Sequence, residues 1–149
     1  MIKNRLLIER YKMIKITMGS LFPCPKATQD LKLNTDNRDA TIEEYHYGPL
    51  NPAEPNEEYW QEVADKWNTT PEKAKKSLCG NCVAFDISPR MKKCMPVSDE
   101  DIKGPGEFGY CWMHHFKCHS KRTCSTFAVG GPITDNEASF KWHKKNKDA

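Results

Sequence analysis

Apolar residues recur at helical spacing most clearly over Tyr59, Trp60, Val63, Ala64 and Trp67, three and four positions apart with polar residues between them. That period predicts a helix over 57–67 that buries one stripe. Asn56 stands where a cap belongs, and Glu57, Glu58 and Glu62 suit the positive end of the helix dipole. Thr70 followed by Pro71 predicts a second, short helix near 70–77, with Lys73, Lys75 and Lys76 toward its end. After it, short apolar pieces are separated by turn signals at Ser88-Pro89, Met95-Pro96, Gly104-Pro105-Gly106, Gly109 and Gly130-Gly131-Pro132. Before 56 the pattern is weaker. Leu6, Leu7, Ile8, Ile14 and Ile16 allow a short strand or a helical turn over 1–18, and Met13 and Met18 are alternative translation starts. Ser20 to Pro55 is rich in Pro, Asn and Asp and lacks a period, which predicts an extended arm with one short strand near Thr41 to Tyr47. The expected organisation is an extended, acidic arm over 1–55, a domain over 56–140 and a basic, frayed tail over 141–149.

Composition lowers the expected core. Hydrophobic residues make up 38% of the 149, mean hydropathy is −0.79 and there are ten Pro, so something besides buried side chains is expected to hold the domain. No apolar run is long enough to span a membrane, and charged residues interrupt the first eighteen positions, unlike a secretory signal. A cytoplasmic, reducing location is the expectation, and there clustered Cys are read as metal ligands before disulfides. Charge is uneven: residues 1–26 carry a net +5, 27–65 a net −8 and the remainder a net +6. Such blocks are ordinarily solvated surface, although the acidic one could dock on the basic Cys-rich part or on a partner.

Six of the seven Cys fall between Cys79 and Cys124. Cys79-Gly80-Asn81-Cys82 is a C-x2-C knuckle, whose turn can aim two thiolates and several backbone N–H groups at one centre. Cys94, Cys111, Cys118 and Cys124 follow within 42 residues, with His114, His115 and His119 among them. This density points to a metal or cluster site. Zinc held by Cys79, Cys82, Cys118 and Cys124, or by a Cys/His mixture, is the runner-up because the second close-spaced knuckle of structural zinc sites is missing. Four thiolates arriving from separate turns also suit an iron–sulfur cluster, sheathed by Phe85, Tyr110, Trp112, Phe116 and Phe127.

Residues 79–127 resemble the cluster-binding half of the high-potential iron–sulfur proteins. The similarity lies in the C-x2-C followed by Phe85, in Gly109-Tyr110-Cys111, and in Cys124-Ser125-Thr126-Phe127. The resemblance implies a small, irregular α+β domain with little regular secondary structure around one [4Fe-4S] cluster. It implies Cys79, Cys82, Cys111 and Cys124 as cluster and metal ligands. It also implies a one-electron carrier that is not an enzyme. The stretch from Cys82 to Cys111 is longer than the family's and carries an extra Cys94, and Cys118 is extra too. Small virus-encoded relatives of the family would suit so atypical a chain, which adds virion association to the localisation readings.

The extra cysteines leave three readings open. Cys94 and Cys118 form a disulfide, or Cys94 replaces Cys111 as ligand, or both are buried thiols. Cys24 is expected to be a free thiol. The three histidines are either hydrogen-bonded imidazoles in a basic loop or neighbours that tune the centre. Lys117, Lys121 and Arg122 are read as surface, so nucleic acid is an unlikely partner. No phosphate-binding Gly loop, metalloprotease motif or privileged nucleophile is present. Two function classes remain: a redox carrier with a protein partner of unknown identity, and a structural or interaction protein stabilised by a redox-silent cluster or zinc, as a monomer or weak oligomer.

Overall fold

The computed structural model describes residues 23–96 and 105–149. The element expected over 1–18 lies outside them, as does Gly104. Six helices occur among the described residues: α1 (Lys26–Gln29), α2 (Leu31–Tyr45), α3 (Glu57–Lys66), α4 (Pro71–Ala74), α5 (Pro89–Cys94) and α6 (Asn136–Lys145). A 3-10 turn, Cys79–Asn81, precedes a three-stranded antiparallel sheet of β1 (Phe85–Asp86), β2 (Phe108–Cys111) and β3 (Phe116–His119), in the order β1-β2-β3. The expectation of an irregular domain organised by an inorganic cluster is therefore corrected. Helices and a sheet share the work, and side chains fill the core.

The helix predicted over 57–67 is α3, Glu57–Lys66, with Trp60, Val63 and Ala64 buried. Its Asn56 has left-handed backbone angles and makes no cap bond; the amide donates instead to the carbonyls of Asn51 and Glu54, both at 2.6 Å. Thr70 caps α4 through Lys73 N–H at 3.4 Å, with Pro71 in its first turn. Ala74 packs with α3 in a small apolar cluster that includes Tyr59, Trp67 and Leu78.

The largest departure from the sequence pattern is α2. Residues expected to be extended, including Thr41 to Tyr45, form a fifteen-residue helix capped by the Asp30 carboxylate, which accepts from Leu33 N–H at 3.1 Å. Its buried positions are polar, Asn34 and Thr41. The reason is β3, an edge strand whose outer N–H and C=O groups would otherwise lack partners. Asn34 Oδ1 accepts from Lys117 N–H at 2.7 Å, Asn37 donates to the His115 carbonyl at 2.7 Å, and the Tyr47 hydroxyl accepts from His119 N–H at 2.8 Å. The acidic block thus meets the Cys-rich part through neutral amides and a phenol.

The main core holds Phe85, Met91, Tyr110, Trp112 and Phe116, all at most 2% exposed. Gly109 lets the sheet close on it: a Cβ there would lie 2.5 Å from the Phe85 ring. Beneath the sheet the Asp86 carboxylate is fully buried and accepts from Ser88 N–H and Trp112 Nε1–H, each at 2.9 Å, and from the Ser139 hydroxyl. Arg90 donates to Ser139 at 3.0 Å and lies 3.0 Å from His143 Nδ1, joining α5 to α6. The expected frayed tail begins inside α6, whose Asp135 caps Ala138 N–H at 2.8 Å.

Candidate functional site

Five thiols converge on one small pocket. Cys79 opens the 3-10 turn and Cys82 follows it, Cys111 ends β2, Cys118 lies in β3, and Cys124 follows the next turn. All five line the pocket together with Phe85, Met113, Thr123 and Phe127. The β2–β3 register explains the central contact. Gly109 pairs with Cys118 and Cys111 with Phe116, so Cys111 and Cys118 are diagonal neighbours whose side chains share a face. The knuckle is held against them by backbone bonds, Cys79 N–H to Arg122 O at 2.7 Å and Gly80 N–H to Ser120 O at 3.0 Å. On its other side Gly131 passes so near Cys82 that a Cβ would lie 1.7 Å from the Cys82 carbonyl oxygen, a close approach only glycine allows.

Cys118 is the hub, within hydrogen-bond reach of both Cys111 and Cys79. Burial first, and then those two sulfur contacts, push the Cys118 thiol well above its ordinary range. Cys111 goes the other way. The Cys118 S–H bond favours its thiolate most, burial opposes it, and bonds from the His114 and Met113 N–H groups add to the lowering. Burial raises Cys82 against bonds from the Ala128 and Ala84 backbone. Burial also raises Cys124 to about 11, although Thr126 works against it. Cys111 is thus the member most inclined to ionise, and it is partly exposed.

The histidines sit around the pocket rather than in it. His114 Nε2 lies 2.7 Å from Thr126 Oγ1, which is 3.2 Å from Cys124 Sγ, so a hydroxyl separates imidazole from thiol. His115 Nδ1 lies 3.1 Å from the Tyr110 hydroxyl, and His119 Nδ1 accepts from Lys121 N–H at 3.1 Å. Burial is the first cause of a lowered value in all three, which keeps them neutral at pH 7.

The remaining two cysteines correct the pairing expectations. Cys24, expected free, is bonded to Cys94 across 70 residues, and Cys118 is a free thiol. Cys94 is therefore neither a ligand nor the partner of Cys118. The disulfide ties the start of the described chain to the end of α5. Such bonds persist in oxidising surroundings, and in the cytosol they are usually transient and redox-sensing.

No family model, no curated protein and no solved structure matches this chain. Nor does any group of three or more His, Cys, Asp or Glu among the described residues have the arrangement to hold a metal ion. The iron–sulfur reading, its zinc runner-up and the resemblance to high-potential iron–sulfur proteins, virus-encoded relatives included, are corrected on these findings. The physical reason lies in the pocket. Its free volume is about 20 Å³, room for about one water. The side chains lining it leave little open space, and Cys118 lines the pocket together with the four expected ligands. The one-electron carrier and the metal-stabilised interaction protein fall with the centre that defined them. Among the described residues no helix is long and apolar enough to cross a membrane.

Sequence reasoning missed the hub role of Cys118, the Cys24–Cys94 bond and the Cys124–Thr126–His114 chain. Strand alternation could have placed Cys118 on the face of Phe116, had β2 and β3 been recognised on either side of the turn at 112–115.

Proposed function

We propose that this chain is a two-electron thiol redox protein, not an enzyme with a substrate of its own, whose reactive set is Cys111 and Cys118 with Cys79 beside them. The observation that carries the reading is the convergence of Cys118, Cys111 (its diagonal neighbour across β2–β3) and Cys79 on one small pocket, lined besides by two more thiols, Phe85, Met113, Thr123 and Phe127. Two thiols give one disulfide, two electrons and two protons. With a disulfide as oxidant, the Cys111 thiolate attacks one of its sulfurs and releases the other as a thiolate. The Cys118 thiolate then attacks the Cys111 sulfur of the mixed disulfide, expelling the second thiolate of the oxidant. Each released thiolate takes up a proton that Cys111 or Cys118 has lost, so charge and atoms balance. Burial makes Cys118 a reluctant thiolate, so the second attack waits on the first, which removes the Cys111 charge beside it.

Equilibration of the full chain with graded glutathione and glutathione disulfide, acid trapping and peptide mapping tests this. The expected result is a reversible loss of two thiols, recovered as a Cys111–Cys118 link. Five free thiols across a range in which Cys24–Cys94 stays bonded would overturn the proposal, as would stable glutathione adducts on Cys111 with no internal link.

A further inference from the structure

A second cavity shares no lining residue with the thiol pocket. Its volume is about 340 Å³, at the lower end of the range for small-molecule sites. Trp60, Leu78 and Phe108 give it apolar walls, Lys75, Lys121 and Arg122 supply three positive charges, and among the described residues no carboxylate lines it. None of the three cations is in an ion pair among the described residues. Arg122 is held in place before any ligand arrives: it donates to the Leu50 carbonyl at 2.8 Å, and its guanidinium lies 5.6 Å from the centre of the Tyr47 ring. Its Nε is buried without a partner among the described residues. A donor in that state costs free energy unless something accepts from it.

We infer that this cavity binds a mononucleotide-sized phosphate monoester carrying a flat aromatic group. Three cations without an ion-pair partner or a lining carboxylate among the described residues favour a phosphate dianion over a single carboxylate, and a fixed guanidinium matches phosphate oxygens through more than one N–H. Apolar walls that include an indole and a phenyl ring suit a planar base, which can stack there with little ordering cost. The volume is of the size that one nucleotide needs. This site does not depend on the chemistry of the thiols.

The test is calorimetric titration of the full-length chain with adenosine 5′-monophosphate, with adenosine and inorganic phosphate as separate probes, while the Trp60 indole resonance is followed by NMR. One-to-one binding of the monophosphate with a shift at Trp60 is expected, each fragment binding at least about tenfold more weakly. Lys75→Gln with Lys121→Gln, both exposed positions, should weaken binding about tenfold or more and leave the melting temperature unchanged. Arg122→Lys keeps the charge and loses the fork, and should weaken it as well. Three outcomes would overturn the inference: no binding of the monophosphate, phosphate alone binding as tightly as the monophosphate, or single-stranded oligonucleotides binding with several chains per strand and displacing it. The last would make the face a nucleic-acid surface.

Discussion

The Asp86 carboxylate and the Trp112 indole meet through a 2.9 Å hydrogen bond in the middle of the core, although 26 residues separate them in the chain. The same carboxylate holds Ser88 N–H and the Ser139 hydroxyl, so it ties β1 to the β2–β3 turn, the start of α5 and α6. Removing it leaves three buried donors without an acceptor. Asp86→Ala should therefore lose about 3–5 kcal/mol, the cost of stripping a buried charged acceptor from its donors. Asp86→Asn should lose less, because its carbonyl oxygen still accepts. Denaturant unfolding of the three proteins at one pH provides the comparison, and equal losses for the two variants would contradict this account.

The Cys24–Cys94 bond closes a loop spanning 70 residues. Chain-entropy reasoning puts its contribution at up to about 4 kcal/mol, through restriction of the unfolded chain. Cys24→Ser and Cys94→Ser should be destabilised by the same amount, and the double variant by no more than either single one. Non-reducing peptide mapping of the parent protein should recover Cys24 and Cys94 in one linked fragment.

Acid should weaken the fold through His143. Burial first, then the charge of Arg90, lowers this imidazole from 6.5 to about 4, against the opposing pull of Asp86. A depressed histidine value means that the unfolded chain binds the proton more readily. The stabilisation is complete above about pH 6.5 and is lost as pH falls toward 4. Over that window it amounts to as much as about 3 kcal/mol. Unfolding free energies measured between pH 7 and 4 should fall accordingly, and His143→Gln should flatten the slope. An unchanged slope in that variant would assign the pH dependence elsewhere.

The thiols should separate by reactivity. Cys111 and Cys124 are both partly exposed, and of these two the surroundings favour the Cys111 thiolate, so its alkylation should reach half-maximal rate below the ordinary thiol value of 9. Cys124 should respond only near 11, and Cys118 should be the slowest to react. Cys118→Ala removes the S–H that favours the Cys111 thiolate, and should move the Cys111 inflection to higher pH. Mass spectrometry of timed iodoacetamide quenches follows each site, and an inflection that stays put would show that Cys118 does not set the Cys111 ionisation.

Some of this architecture was legible in the residues, and the reasons are physical. Helix α3 announces itself because its buried face is apolar at a period of 3.6, and α4 because Thr70 and Pro71 carry local start signals that need no tertiary partner. Helix α2 carries no such stripe. Its buried residues are Asn34, which accepts from the β3 edge, and Thr41, whose hydroxyl donates to the Asn37 carbonyl of the same helix, so the pattern becomes intelligible only once the strand edge is in place.

The same division runs through the cysteines. Their density between Cys79 and Cys124 is visible in the sequence, and five of those six cysteines line one pocket. Which sulfur faces which is another matter. Cys24 and Cys94 are joined by the docking of the segment before α1 against the end of α5, a relation 70 residues long with no local signature. Cys118 enters the pocket because the β2–β3 register places it diagonal to Cys111. Pairing is a property of distances in the folded chain. The sequence by itself determined that cysteines cluster after residue 78 and that helices form over 57–67 and near 70–77, observed as 57–66 and 71–74; tertiary structure alone decided which sulfurs meet, because spacing along a chain does not encode the angles at which its turns bring sulfurs together.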